Sequence, residues 1–192
     1  MRGIIRQGMG AMGVALAAIA APAVVAAQGQ EGVPPVVTAL LRDLAQAEEK
    51  LTGLVEAMPA EAWAWRPGDG VRSTGEVVMH IAADNYFLPT PVGVAAPAST
   101  GIKPDDYPSV QAYEARIATK AEGLAAMSAS FAHLRAAMEQ ADEALLMREL
   151  SVFGSSMTGL ELWVLTTTHL HEHLGQLIAY ARSNGVVPPW SR

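Results

Sequence analysis

Cysteine is absent from all 192 residues. That excludes disulfides and a lipid-anchored N-terminal cysteine, so the fold must hold by packing alone. Positive charge is also scarce: 13 Lys and Arg stand against 19 Asp and Glu, for a formal charge of −6. With no Lys/Arg cluster, the chain is a poor match for nucleic acid or for an anionic membrane surface. Beyond the N-terminal segment there is no apolar run long enough to span a bilayer. One domain with a proper core fits the length.

The N-terminal segment itself is distinctive. Arg2 and Arg6 precede an apolar Gly/Ala/Val/Met/Leu/Ile run that ends at Val25-Ala26-Ala27, before Gln28-Gly29-Gln30. This is the pattern of a secretory signal cleaved after Ala27, leaving a mature domain over 28–192 in the periplasm or medium. A membrane-spanning anchor is the other reading of the same run. Cleavage would remove two arginines and no acid, taking the formal charge from −6 to −8.

The mature part reads as helices. Pro34-Pro35 opens the first, with Val37, Leu40, Leu41, Leu44, Leu51, Leu54, Val55 and Met58 at three- and four-residue steps, and Pro59 stops it. Trp63 and Trp65 follow in a turn-rich connection, where they would plug one end of a bundle or stack on a ligand. Ser73-Thr74-Gly75-Glu76 forms a capping box that starts helix two, which carries His80 and, one turn on, Asp84. From Leu88 to Pro108 five prolines mark a long irregular segment, either a lid or a surface loop. Ser109 restarts helix, and Tyr113, Ile117, Lys120, Leu124, Met127, Phe131, Leu134 and Met138 predict one long amphipathic helix with His133 facing solvent. A short helical piece over 142–150 and a turn at 153–156 precede a second capping box, Thr158-Gly159-Leu160-Glu161. The last helix runs to about Ser183, ended by Asn184-Gly185.

Three of the five histidines, His169, His171 and His173, lie in that last helix. Residues four apart share a helix face, so His169 and His173 can hold one cation, whereas His171 points away. The spacing differs from the zinc-protease His-Glu-x-x-His, because Gly175 stands where the second histidine would be. The inward face is read as Leu162, Leu165, His169, His173, Gln176 and Tyr180. Two unpaired imidazoles in a packed interior would cost on the order of 1–3 kcal/mol each, and a shared metal would remove that cost. A third ligand must come from elsewhere in the chain.

Taken in order, Trp63-x-Trp65-x-Pro67, Val71-Arg72-Ser73-Thr74-Gly75-Glu76-x-x-x-His80-Ile81-Ala82, Phe153-Gly154, Thr158, His169-x-x-x-His173-x-Gly175-Gln176-Leu177 and Asn184-Gly185-Val186-Val187-Pro188-Pro189-Trp190 resemble the DinB/YfiT-like superfamily. The resemblance implies an all-α fold, a four-helix bundle with a long loop between helices two and three. It also implies a divalent metal, commonly nickel or zinc, on three histidines: His80, His169 and His173. The position before His173, often histidine in relatives, is Glu172 here.

Some relatives are thiol S-transferases, and others are described as metal-dependent hydrolases. With export, the expectation is a metal-dependent hydrolase acting through metal-bound water on an unknown small molecule. Asp84 and Glu172 are its candidate proton carriers. A non-catalytic metal- or ligand-binding bundle and a thiol S-transferase are the alternatives. Pairing of relatives through bundle faces implies a homodimer.

Overall fold

The computed structural model describes residues 32–116 and 119–191. The signal-peptide reading of residues 1–27, and Ile117 of the helical stripe, lie outside them. Four long helices make the frame: α1 (Pro35–Ala57), α2 (Thr74–Phe87), α4 (Lys120–Met138) and α6 (Gly159–Ser183). Shorter elements join them: α3 (Tyr107–Glu114), α5 (Glu143–Met147) and a hairpin of β1 (Glu149–Val152) with β2 (Ser155–Thr158). α1 packs chiefly on α6, and α2 on α4. The apolar stripe of α1 (Val37, Leu44, Leu51, Leu54, Val55) meets Met127, Phe131, Leu134 and Met138 of α4 and Leu162, Trp163, Leu170, Leu174 and Leu177 of α6 in one core. No described helix is long and apolar enough to cross a membrane. The all-α bundle and its long loop are therefore as the sequence implied.

Both expected capping boxes form. Ser73 accepts from the Glu76 amide while Glu76 accepts from the Ser73 amide, and Thr158 and Glu161 do the same. Two other expectations need correction. The stripe from Tyr113 to Met138 is not one helix: α3 ends at Glu114 and α4 starts afresh at Lys120. The reason is a third capping box, Thr119 with Glu122, which satisfies the orphan amides of a new N-terminus. The piece over 142–150 is helical only to Met147, after which the chain turns into a hairpin, Glu149 pairing Thr158 and Val152 pairing Ser155. Phe153 and Gly154 form its two-residue tip with φ of 52° and 77°, the twist such a loop requires.

Every residue of α2 from Val77 to Phe87 is buried. One face meets the main core. The other meets a second cluster in which Met79, Ala82, Ala83, Tyr86 and Phe87 pack with Ile102, Val110 and Tyr113. The 88–106 segment thus buttresses α2 from outside, tied by the Arg116 guanidinium to the carbonyls of Ser99 and Thr100 at 3.1 and 2.7 Å. Trp63 is packing material, as the first reading of the tryptophans has it. Its indole fills the space that a Cβ would claim at Gly75 of α2 and Gly123 of α4. His133 does not face solvent freely. It is half-buried against Tyr86 at 5.2 Å, with Nε2 enclosed and unpartnered, and burial pushes its pKa down.

A candidate metal centre of three histidines

His80 of α2 and His169 and His173 of α6 come together, and one ligand nitrogen from each lies within 4.8 Å of the others. Their rings are mutually edge-on, with centroids 5.3 Å (80–169), 4.7 Å (80–173) and 4.4 Å (169–173) apart. The inward face of α6 differs from the reading of its sequence. Leu165 is exposed, while Trp163, Thr166, Thr167 and Leu170 are buried, so the core stripe is rotated. His169 and His173 therefore sit half-buried on the flank of the core rather than in its middle. His171 points elsewhere, to Asp43 of α1 at 3.0 Å.

Outer partners set the proton positions. The Arg72 carbonyl can only accept, so the Tyr180 hydroxyl donates to it at 3.0 Å and accepts from Gln176 Nε2 at 2.8 Å. That leaves Gln176 Oε1 to accept from His173 Nδ1 at 2.9 Å. His173 therefore carries its proton on Nδ1 and turns the Nε2 lone pair toward the other rings. On the opposite side His80 Nδ1 meets Glu114 Oε1 at 2.7 Å, and Arg72 reaches Glu114 Oε2 at 3.4 Å. Burial would raise the Glu114 carboxyl, but the His80 hydrogen bond and the nearby positive charge outweigh it and hold its pKa down. An ionised Glu114 fixes the proton on His80 Nδ1 and again frees Nε2. Anchoring the far nitrogen of a ligand histidine in this way is what metal sites require.

Asp84 is buried at the middle of the cluster, its Oδ2 2.8 Å from His169 Nε2 and 3.4 Å from His80 Nε2. Burial lowers the His169 pKa, but Asp84, helped by Glu172, more than reverses it, so the net shift is upward. His173 is pushed down to about 4, first by burial and then, against the Gln176 bond, by the other two rings. The donor set suits a borderline divalent cation: three imidazole nitrogens, two preset as lone pairs, with a carboxylate oxygen beside them. Glu172 is largely exposed, its Oε2 3.7 Å from His169 Nδ1, so it faces the outer nitrogen of His169 rather than the centre.

Tyr107, at the start of α3, packs its ring against Phe87, 6.3 Å between centroids. Burial raises its phenol, with the charges of Glu114 and Asp84 adding and Arg72 opposing. Neither Tyr107 nor Glu114 is among the site residues expected from the sequence. Glu114 looked like a mid-helix residue of one continuous stripe. The Thr-x-x-Glu box at 119–122 was the signal that 107–114 is a separate piece, free to turn Glu114 inward.

Residues 43–177 match the family model of the DinB superfamily. Among solved structures, YfiT from Bacillus subtilis, a probable metal-dependent hydrolase with an unusual four-helix bundle topology, has a TM-score of 0.62 at 17% identity, covering 82% of this chain and 93% of that one. A conserved protein from Enterococcus faecalis gives 0.63 at 17%, over 77% and 95%. The mycothiol-dependent maleylpyruvate isomerase gives 0.58 at 12%, over 73% of this chain but 60% of its own. Identities this low speak for the fold alone. No curated protein sequence matches. The family model spans well over half the chain, and the chain belongs to the DinB superfamily.

Proposed function

We propose that this is an exported hydrolase of a small molecule, dependent on a divalent ion, zinc or nickel, held by His80, His169 and His173. The observation that carries the reading is the convergence of three imidazoles whose outer nitrogens are committed to Gln176, Glu114 and, more loosely, Glu172. A cation there supplies a Lewis acid, able to polarise a carbonyl or lower the pKa of water to about 7. The chain's own residues do the rest. Gln176 and Glu114 hold two rings in one tautomer. Asp84, within hydrogen-bond reach of the centre, is placed to take a proton and pass it on. Glu172 orients His169 from the solvent side.

The test is metal content by mass spectrometry of protein purified without chelators, followed by His80→Ala and His169→Ala. About one equivalent should be present in the native protein and lost in both variants, together with any activity found in an ester and amide screen. Native protein that holds no divalent metal and takes none up would sink the reading.

A second reading draws on the Asp84 geometry. If its carboxylate serves as a fourth ligand, the site is closed and structural rather than catalytic. Asp84→Asn separates the two. In the catalytic reading it keeps the metal and loses rate, whereas in the structural one it loses metal. Thiol S-transfer, the other activity the family resemblance implies, would need a small thiol outside the cytoplasm, and export weighs against it. Export itself predicts a mature N-terminus at Gln28 in periplasm or medium, readable by intact mass. A homodimer, expected from the family resemblance, is checked by light scattering.

A further inference from the structure

The inference concerns what lies next to the histidines, and it rests on the reading of them as the place of reaction. On α2, His80, Asp84 and Phe87 share one face, being four and seven residues apart. On α3, Glu114 and Tyr107 share a face in the same way. The two faces pair antiparallel: His80 meets Glu114 at 2.7 Å, and two turns along Phe87 meets Tyr107 with ring centroids 6.3 Å apart. Phe87 lies about 4.5 Å along the helix axis from Asp84 and about 10 Å from His80. Across from it stands the hairpin tip, with Phe153 6.0 Å from Phe87. Phe87, Asp105, Tyr107, Ser151, Phe153 and Gly154 line an open cleft of about 300 Å³.

Two features set this cleft apart from an incidental dent. Among the described residues, the non-glycine positions with left-handed φ are Asp105 (54°) and Phe153 (52°), and both line it. At Asp105 the residue type tolerates this conformation, and at Phe153 the two-residue tip requires it although a ring-bearing side chain makes it cost on the order of 1 kcal/mol. The first position of a tight hairpin tip is normally Asn, Asp or Gly. Here it is a phenylalanine left 65% exposed, an arrangement that serves neither the turn nor the core. No basic side chain lines the cleft, and its one charge is the Asp105 carboxylate, which disfavours an anion.

We propose that this cleft seats an uncharged aromatic group of the substrate, with Phe87, Tyr107 and Phe153 stacking on it and the reacting group directed past Asp84 to the three histidines. Phe153 is then a specificity determinant supplied by the hairpin. The test has two arms, and both use Phe153→Asn, a change that suits the left-handed φ and so keeps the turn.

In the first arm, metal-free protein is titrated with benzyl alcohol and followed by NMR. Shifts should centre on Phe87, Tyr107, Phe153 and Gly154, and weaken by about threefold or more in the variant, as expected when one face of a stacked ring is lost. Shifts elsewhere, or equal in the variant, overturn the cleft whatever the metal does. In the second arm, calorimetry compares benzohydroxamate with acetohydroxamate on zinc-loaded protein. The aryl ligand should bind about tenfold tighter, and the ratio should fall to within about twofold in Phe153→Asn, as burial of a ring predicts. A ratio near one in the native protein overturns the link between cleft and centre. If neither hydroxamate binds, the metal reading fails, and the benzyl alcohol arm still decides the cleft.

Discussion

Glu114 is the residue whose effect most exceeds its visibility. It lies outside the three-histidine set, yet its carboxylate fixes the proton of His80 and draws Arg72 to the site. Glu114→Gln keeps the size and hydrogen-bonding reach but removes the charge that commits His80 to one tautomer. Metal affinity should fall about 10–100-fold, as for other outer partners of ligand histidines, with the fold unchanged by circular dichroism. Competition against a chromophoric chelator measures it, and an affinity within twofold of native would refute the role. His133 makes a different prediction. Burial lowers its pKa from 6.5 in the native state, so the unfolded chain binds the proton more readily. Its contribution to stability is present above about pH 6.5 and is lost as pH falls toward the native value. The urea midpoint should therefore drop less between pH 7 and pH 5 in His133→Phe than in native protein.

At the scale of elements, the contact of α2 with α4 depends on two glycines and one indole. A Cβ at Gly123 would stand 2.4 Å from Trp63 Cη2, and one at Gly75 2.6 Å from Trp63 Cε2. Gly123→Ala should cost about 1–3 kcal/mol in urea unfolding despite its better helix propensity, because the clash exceeds the gain. The obstacle is a side chain, so the cost should largely vanish in a Trp63→Leu background. An undiminished cost there would mean that backbone, not the indole, sets the limit. Gly159 differs, since its neighbour is the Leu145 carbonyl at 2.2 Å, which cannot move aside. Because helix stops at Glu114 and restarts at Lys120, α3 lies across α2 instead of continuing α4, which brings Glu114 to His80 and Tyr107 to Phe87.

For the whole molecule, the metal couples site to stability. His80 comes from α2 and the other two histidines from α6, elements joined through the core rather than through adjacent sequence. A cation bound only by the folded state stabilises by about 2.7 kcal/mol at a hundredfold excess over its dissociation constant. Adding zinc or nickel to chelator-stripped protein should raise Tm, and a chelator should reverse the rise. His169→Ala should abolish the response while leaving the metal-free Tm within a few degrees, since His169 lies on the flank of the core. A metal-independent Tm in the native protein would contradict the proposed centre.

Periodicity, proline placement and capping boxes in the chain by themselves determined four long helices, where α2 and α6 begin, and which two histidines share a turn. These are local properties, set by a 3.6-residue repeat and by hydrogen bonds three residues apart. The motif order further marked His80 as their partner across the bundle. Only the tertiary structure decided the rest: the packing of α3 across α2 that makes Glu114 an outer partner of His80, the rotated face of α6 that leaves His169 and His173 half-open, and the hairpin that brings Phe153 beside Phe87. Each depends on which surfaces meet across the bundle, and contacts between residues 34 to 85 positions apart leave no period in the sequence to be read.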